Sequence, residues 1–179
     1  MQQSIVVIRH ATSSGHAPDA DLTPQGHVQA RHLTNKLASL GIDSLYASPY
    51  RRAQATIAPF SQKTGLKIKT LPGLHERILA PHPLPDWLDH IERSFDDPAY
   101  QLIGGESLNE TRARAAKALA IVANSGATRP VVVSHGMLIA SVLNGIDPTF
   151  GFESWRAMKN PDLFILTLKN GMPDRYRQI

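Results

Sequence analysis

The chain has 179 residues, no cysteine and a formal net charge of +4, from 19 Lys and Arg against 15 Asp and Glu. Zero cysteine excludes thiol catalysis, disulfides, Cys-ligated zinc and iron–sulfur clusters, and so mild and dispersed a charge is unlike the concentrated basic surface of a nucleic-acid module. The length suits one domain, 1–179, with one sizeable core; with no signal-like start and no apolar run near the ~20 residues of a membrane span, the chain reads as cytoplasmic, with no nucleic-acid or membrane partner.

Ser4 to Ile8 (SIVVI) is a β-branched run that reads as a central strand. Arg9-His10 follows it, and then a small, polar stretch, 11–21, expected to be a loop. Leu22-Thr23-Pro24 opens a helix: Thr23 caps free amides, and Pro24 lies where its missing N–H costs nothing. Ala30, Leu33, Leu37 and Leu40 fall on one face and carry that helix to about residue 40, with Gly41 as its stop. A second strand is expected over 42–47, a turn at Ser48-Pro49, and a second helix over 51–63 that bends or breaks near Pro59 and closes at Gly65. A third strand is placed at 66–71. The proline-rich stretch 73–105, which holds Trp87, Phe95 and Tyr100, reads as short helices and loops forming a cap or lid.

Residues 106–123 are the clearest helix, started by Ser107 or Glu106 and ended by Gly126. A buried strand at 129–134 precedes a helix at 137–143, stopped by Gly145, and 163–168 is the last strand. The tail, with Arg175 and Arg177 after Lys169, is expected to be a frayed, solvated end.

Strands alternating with helices predict an α/β fold, a three-layer α/β/α sandwich around a mostly parallel sheet. Ligands in such folds collect beyond the carboxyl ends of the strands. Two histidines are placed there: His10 just after SIVVI and its Arg9, and His135 just after PVVVS. Phosphoryl transfer asks for a nucleophile, cations around the equatorial oxygens and a proton for the leaving oxygen. A neutral imidazole at His10 supplies the first, and the guanidinium fork of Arg9 suits the second.

The pattern RHATSSGH, from Arg9, resembles the opening of the histidine phosphatase (phosphoglycerate-mutase-like) superfamily. The resemblance continues through LTPQGHVQA (22–30), SPYRRAQAT (48–56), LHE (74–76), GGES (104–107) and SHG (134–136), in family order and over nearly the whole chain. It implies a phosphoglycerate-mutase-like fold and hydrolysis of a small phosphorylated metabolite through a phosphohistidine at His10. Arg9, Arg52 and His135 then hold the phosphoryl oxygens, while Glu76 gives a proton to the leaving group and later activates water. Adjacent Arg51 and Arg52 diverge by about 100° on a helix, and the family block selects Arg52. Gly136 lets the backbone approach closely. His75 and Arg77, flanking Glu76, are weaker candidates.

The chain departs from the commonest pattern at Ala11, Thr12, Ser13 and His16. Ser13 and His16 stand at positions expected to contact phosphate, where His16 replaces an Asn found in many relatives. No metal is implied, no metal-ligand spacing occurs, and no GxxxxGK[ST] or GxGxxG motif supports a nucleotide cofactor, so no cofactor is expected. Three rivals remain: a mutase, for which the short 73–105 segment leaves little room; a protein phosphohistidine or phosphoserine phosphatase; and a non-catalytic phospho-ligand binding protein. Trp87, Phe95 and Tyr100 either wall a ring-bearing leaving group or form the core of the cap. His82 and His90, in the cap, are expected to be surface or structural.

Overall fold

A computed structural model describes residues 2–179. Six strands form one sheet: β1 (Gln2–Arg9), β2 (Ser44–Ala47), β3 (Ile68–Thr70), β4 (Pro130–Ser134), β5 (Asp162–Lys169) and β6 (Met172–Gln178), in spatial order β3-β2-β4-β1-β5-β6. The first four in that order are mutually parallel, whereas β5 runs antiparallel to β1 and β6 antiparallel to β5. The helices are α1 (Pro24–Ala38), α2 (Arg51–Thr64), α3 (Trp87–Asp96), α4 (Leu108–Ala123), α5 (Gly136–Ile146) and α6 (Phe152–Arg156).

Strand residues alternate between the two faces, as the two-residue repeat of a pleated strand requires. Val6, Ile8, Leu45, Ala47, Val131 and Val133 pack with Leu33, Leu37, Ile57 and Phe60 of α1 and α2. Ile5, Val7, Tyr46 and Val132 turn the other way, onto Leu119, Val122, Leu138 and Leu143 of α4 and α5. The sheet is therefore buried on both sides, and β4 is buried at all five positions. This is the expected α/β/α sandwich.

Local signals fix several boundaries. The Thr23 side chain accepts the Gly26 amide at 3.0 Å, with Pro24 in the first turn of α1. Ser107 and Glu110 form a reciprocal capping box that starts α4. Pro59 lies inside α2 without breaking it. Three expectations change. Gly145 does not stop α5, which continues to Ile146; a methyl at 145 would come within 2.7 Å of Arg112, which crosses there to the Ser141 carbonyl and Asn144. The third strand is only three residues long. The tail is not frayed: Met172–Gln178 is the edge strand β6, paired antiparallel with β5 along its length apart from a register shift at Thr167/Leu168.

Candidate active site

The parallel register of β1 and β4 sets Arg9 opposite Ser134, so the next residues, His10 and His135, leave the sheet side by side. Their ring centroids are 5.1 Å apart, edge to face. The loops after β2 and β3 bring in Arg52, at the second position of α2, and Glu76, just past a 3-10 turn at Pro72–Leu74. Four strand ends thus supply four of the expected groups, and Arg9, the last residue of β1, is the fifth.

His10 is 8% exposed. Its Nδ1 lies 2.7 Å from the Ala11 carbonyl. A carbonyl only accepts, so Nδ1 carries the proton and the lone pair is on Nε2. The other side of the ring agrees: Arg52 Nε–H donates to His10 Nε2 at 3.1 Å. Burial pushes the imidazole down to about 4, with the bond to Ala11 opposing and Arg52, Arg9 and His16 adding to the fall. The backbone around it is fixed: the His10 amide donates to the Ser134 carbonyl, its carbonyl accepts from Asn160 Nδ2, and the Ala11 amide donates to Thr56 Oγ1. Ala11 itself is fully buried.

Arg52 is 2% exposed. Besides His10, it donates from Nη1 to the carbonyls of His16 and Ala17, pinning the loop 11–21 over the site. Arg9 donates from Nη1 to the Met158 carbonyl, and its Nε is buried with no partner among the described residues. Burial pulls both guanidinium groups below their usual range, and Glu76 opposes that for both. Gly136 lies against Arg9: a methyl there would sit 3.2 Å from its guanidinium carbon and from Trp155 Nε1. Arg51, by contrast, is exposed and pairs with Asp21 at 2.7 Å.

His135 is fully buried, and burial, with His10 and Arg52 adding to it, holds its imidazole well below the ordinary value. Nε2 lies 2.7 Å from Ser48 Oγ. That oxygen accepts the Tyr50 amide at 3.2 Å, and its own proton has no other acceptor among the described residues, so it goes to Nε2. The His135 proton is then on Nδ1, a buried nitrogen with no partner among the described residues. It is a donor held ready for an anion.

Glu76 occupies the amino end of α5. Oε1 accepts the amides of Arg77 (2.8 Å) and Leu138 (3.1 Å), and Oε2 that of Met137 (3.2 Å). Its loop is clamped from behind. Arg114 reaches the carbonyls of Gly73 and His75 from Nη1 and grips both oxygens of Glu106, while Glu106 Oε2 also accepts the Ile78 amide. Arg77 is part of this support rather than of the pocket, donating to the Glu106 carbonyl and Ser94 Oγ. The remaining expected residues differ in status. His16 is exposed, with its ring near Trp87. The Ser13 hydroxyl donates to the Gly15 carbonyl, shaping the loop.

Sequence reasoning treated Ser48 only as a turn residue and did not single out Arg114, Asn160 or Trp155. Only Ser48 had a signal, since it precedes a proline at the end of a strand in a matched block. Among the described residues no group of three or more His, Asp or Glu is placed to hold a metal ion, and no helix is long and apolar enough to cross a membrane.

The His10 tautomer is directly checkable. Imidazole 15N spectra are expected to show a Nδ1–H tautomer with no titration of His10 from pH 8 down to 5.5; a midpoint near 6.5 would contradict the assignment. The sign for stability follows. An unfolded imidazole takes its proton near 6.5, the folded one only at about 4, so the unfolded state binds more protons between those values. Stability is full above pH 6.5 and declines as pH falls toward 4, read as a falling urea midpoint.

Residues 5–174 match the family model of the histidine phosphatase superfamily, branch 1. A Hydrogenobacter thermophilus protein whose name proposes it as phosphoserine phosphatase 2 is 27% identical over 154 residues, covering 78% of this chain and 76% of that one. The phosphate complex of the mycobacterial glucosyl-3-phosphoglycerate phosphatase superposes with a TM-score of 0.77 at 25% identity, over 99% of this chain and 95% of that one. A variant of the Entamoeba histolytica phosphoserine phosphatase, bound to phosphoserine, shares the fold with a TM-score of 0.75 at 20% identity, over 96% of this chain and 93% of that one. The chain belongs to the histidine phosphatase superfamily, branch 1, and is a phosphomonoester hydrolase of that type.

Proposed function

We propose that the protein hydrolyses a small phosphate monoester in two steps through a phosphohistidine at His10. The observation that carries this reading is the 2.7 Å contact of His10 Nδ1 with the Ala11 carbonyl, which leaves the Nε2 lone pair toward Arg52. A bound dianion draws the Arg52 guanidinium onto its oxygens and releases that lone pair. Nε2 then attacks phosphorus in line with the ester oxygen. The N–P bond forms as the P–O bond breaks, and Glu76, which takes up a proton as the dianion binds, passes it to the departing alkoxide. Arg9, Arg52 and the Nδ1–H of His135 then hold the three equatorial oxygens and stabilise their charge through the transfer. In the second step the Glu76 carboxylate takes a proton from water, hydroxide attacks phosphorus, and His10 leaves as the neutral imidazole with inorganic phosphate.

His16 and Ser13, on the loop pinned by Arg52, are assigned as outer phosphate contacts, and Gly136 as the gap that admits Arg9. Quenched turnover with a 32P-labelled ester is expected to leave an acid-labile, base-stable label on His10. Turnover without that label overturns the covalent step. The same incubation separates hydrolysis from mutase action, since 3-phosphoglycerate with a trace of bisphosphate should release phosphate rather than yield the isomer.

A further inference from the structure

The three cap aromatics behave differently. Phe95 packs on the hydrophobic core. Tyr100 is used up within the cap: its ring stacks on His90 at 12°, its hydroxyl lies 2.6 Å from His90 Nδ1, and the Arg93 guanidinium covers it at 4.2 Å. Trp87 is different. It is 40% exposed, at the first turn of α3. Its ring meets the buried Trp155 edge-on at 6.3 Å and tilts toward His16 at 6.4 Å. It is thus held in place from one side and bare on another, next to the loop that Arg52 pins over His10.

A second ring pair borders the same pocket. Tyr50, half-buried, lies edge-on to His135 at 5.0 Å and under the Arg52 guanidinium at 4.9 Å, and it is nearly parallel to His75 at 22° and 6.3 Å. The ring of His75 is oriented by Nδ1, which lies 2.7 Å from the Glu76 carbonyl and so carries the proton; Nε2 is left as an acceptor. Tyr50 and His75 therefore lie beside the group that protonates the leaving oxygen.

Two ring pairs therefore flank the anion pocket. We propose that the substrate is an alkyl phosphate whose alcohol carries a planar ring system, stacked on Trp87 with Tyr50 and His75 lining the Glu76 side. This rests on the reaction proposed above. A compact leaving group such as serine or glycerol has no face to offer Trp87, whereas a flat ring system gains stacking that depends little on its substituents.

Binding to the His10→Gln enzyme tests this apart from turnover. Adenosine 5′-monophosphate is expected to bind about tenfold tighter than ribose 5-phosphate, within the range known for a base on an aromatic side chain. Trp87→Ala in the same background should bring that ratio close to one, and Trp87→Phe should keep most of it. Equal dissociation constants for the two ligands, or a ratio that survives Trp87→Ala, overturn the ring subsite. Failure of the reaction itself reads out elsewhere, as turnover without label on His10.

Discussion

His10→Gln is expected to lower kcat on any phosphate monoester by about 10⁴-fold or more, the scale seen when a nucleophile is removed from a concerted catalytic group. Inorganic phosphate should still bind within a few-fold of the native enzyme. The contrast comes from the division of labour at the site. The lone pair on Nε2 belongs to His10 alone, whereas the donors belong to Arg9, Arg52 and His135. Glutamine is the informative replacement because its Oε1 can take the hydrogen bond that Arg52 Nε gives to Nε2. It leaves the Arg52 contacts to the His16 and Ala17 carbonyls in place. A variant that retains a tenth of native turnover would show that another group attacks phosphorus. Loss of phosphate binding alongside turnover, with an unchanged circular-dichroism spectrum, would show that His10 is a ligand rather than the nucleophile.

The division between what sequence shows and what only folding reveals follows physical lines. His10 and His135 were legible because each follows a run of β-branched residues, and a buried parallel strand delivers its next residue to the ligand end of the sheet. The helix starts were legible because capping is local: Thr23 with Pro24, and Ser107 with Glu110, involve residues within one turn. Strand direction was not. Leu163 to Leu168 is apolar whichever way it runs, and its antiparallel pairing with β1 depends on a connection through α6 that composition does not specify. The basic tail read as solvated because five of its seven strand positions are exposed and the other two only half-buried, so no buried face marks it as a strand. Gly145 was read by its local cost, but the close passage of Arg112 decided it. The tautomer of His135 was beyond reach too, since Ser48 is 87 residues away in sequence and only the β2–β4 pairing brings it alongside.

Glu76→Gln carries the second large effect, and its size depends on the leaving group. Alkyl phosphates should lose about 10²- to 10⁴-fold in kcat/KM, the usual contribution of a positioned general acid. An aryl phosphate such as p-nitrophenyl phosphate should lose far less, because a phenolate departs without a proton. The carboxamide has a structural cost as well. Oε1 and Oε2 between them accept the amides of Arg77, Leu138 and Met137, and an NH₂ in place of either oxygen faces at least one N–H it cannot accept. An unpaired buried donor costs about 1–3 kcal/mol, which a lowered melting temperature would register. The aryl ester separates the two contributions within one sample, since a distorted α5 terminus would displace His135 and harm both substrates alike. Equal losses on alkyl and aryl esters would therefore remove Glu76 as the acid and leave it the role of a brace between the β3 loop and α5. A selective loss places the proton for the leaving oxygen on its carboxyl group.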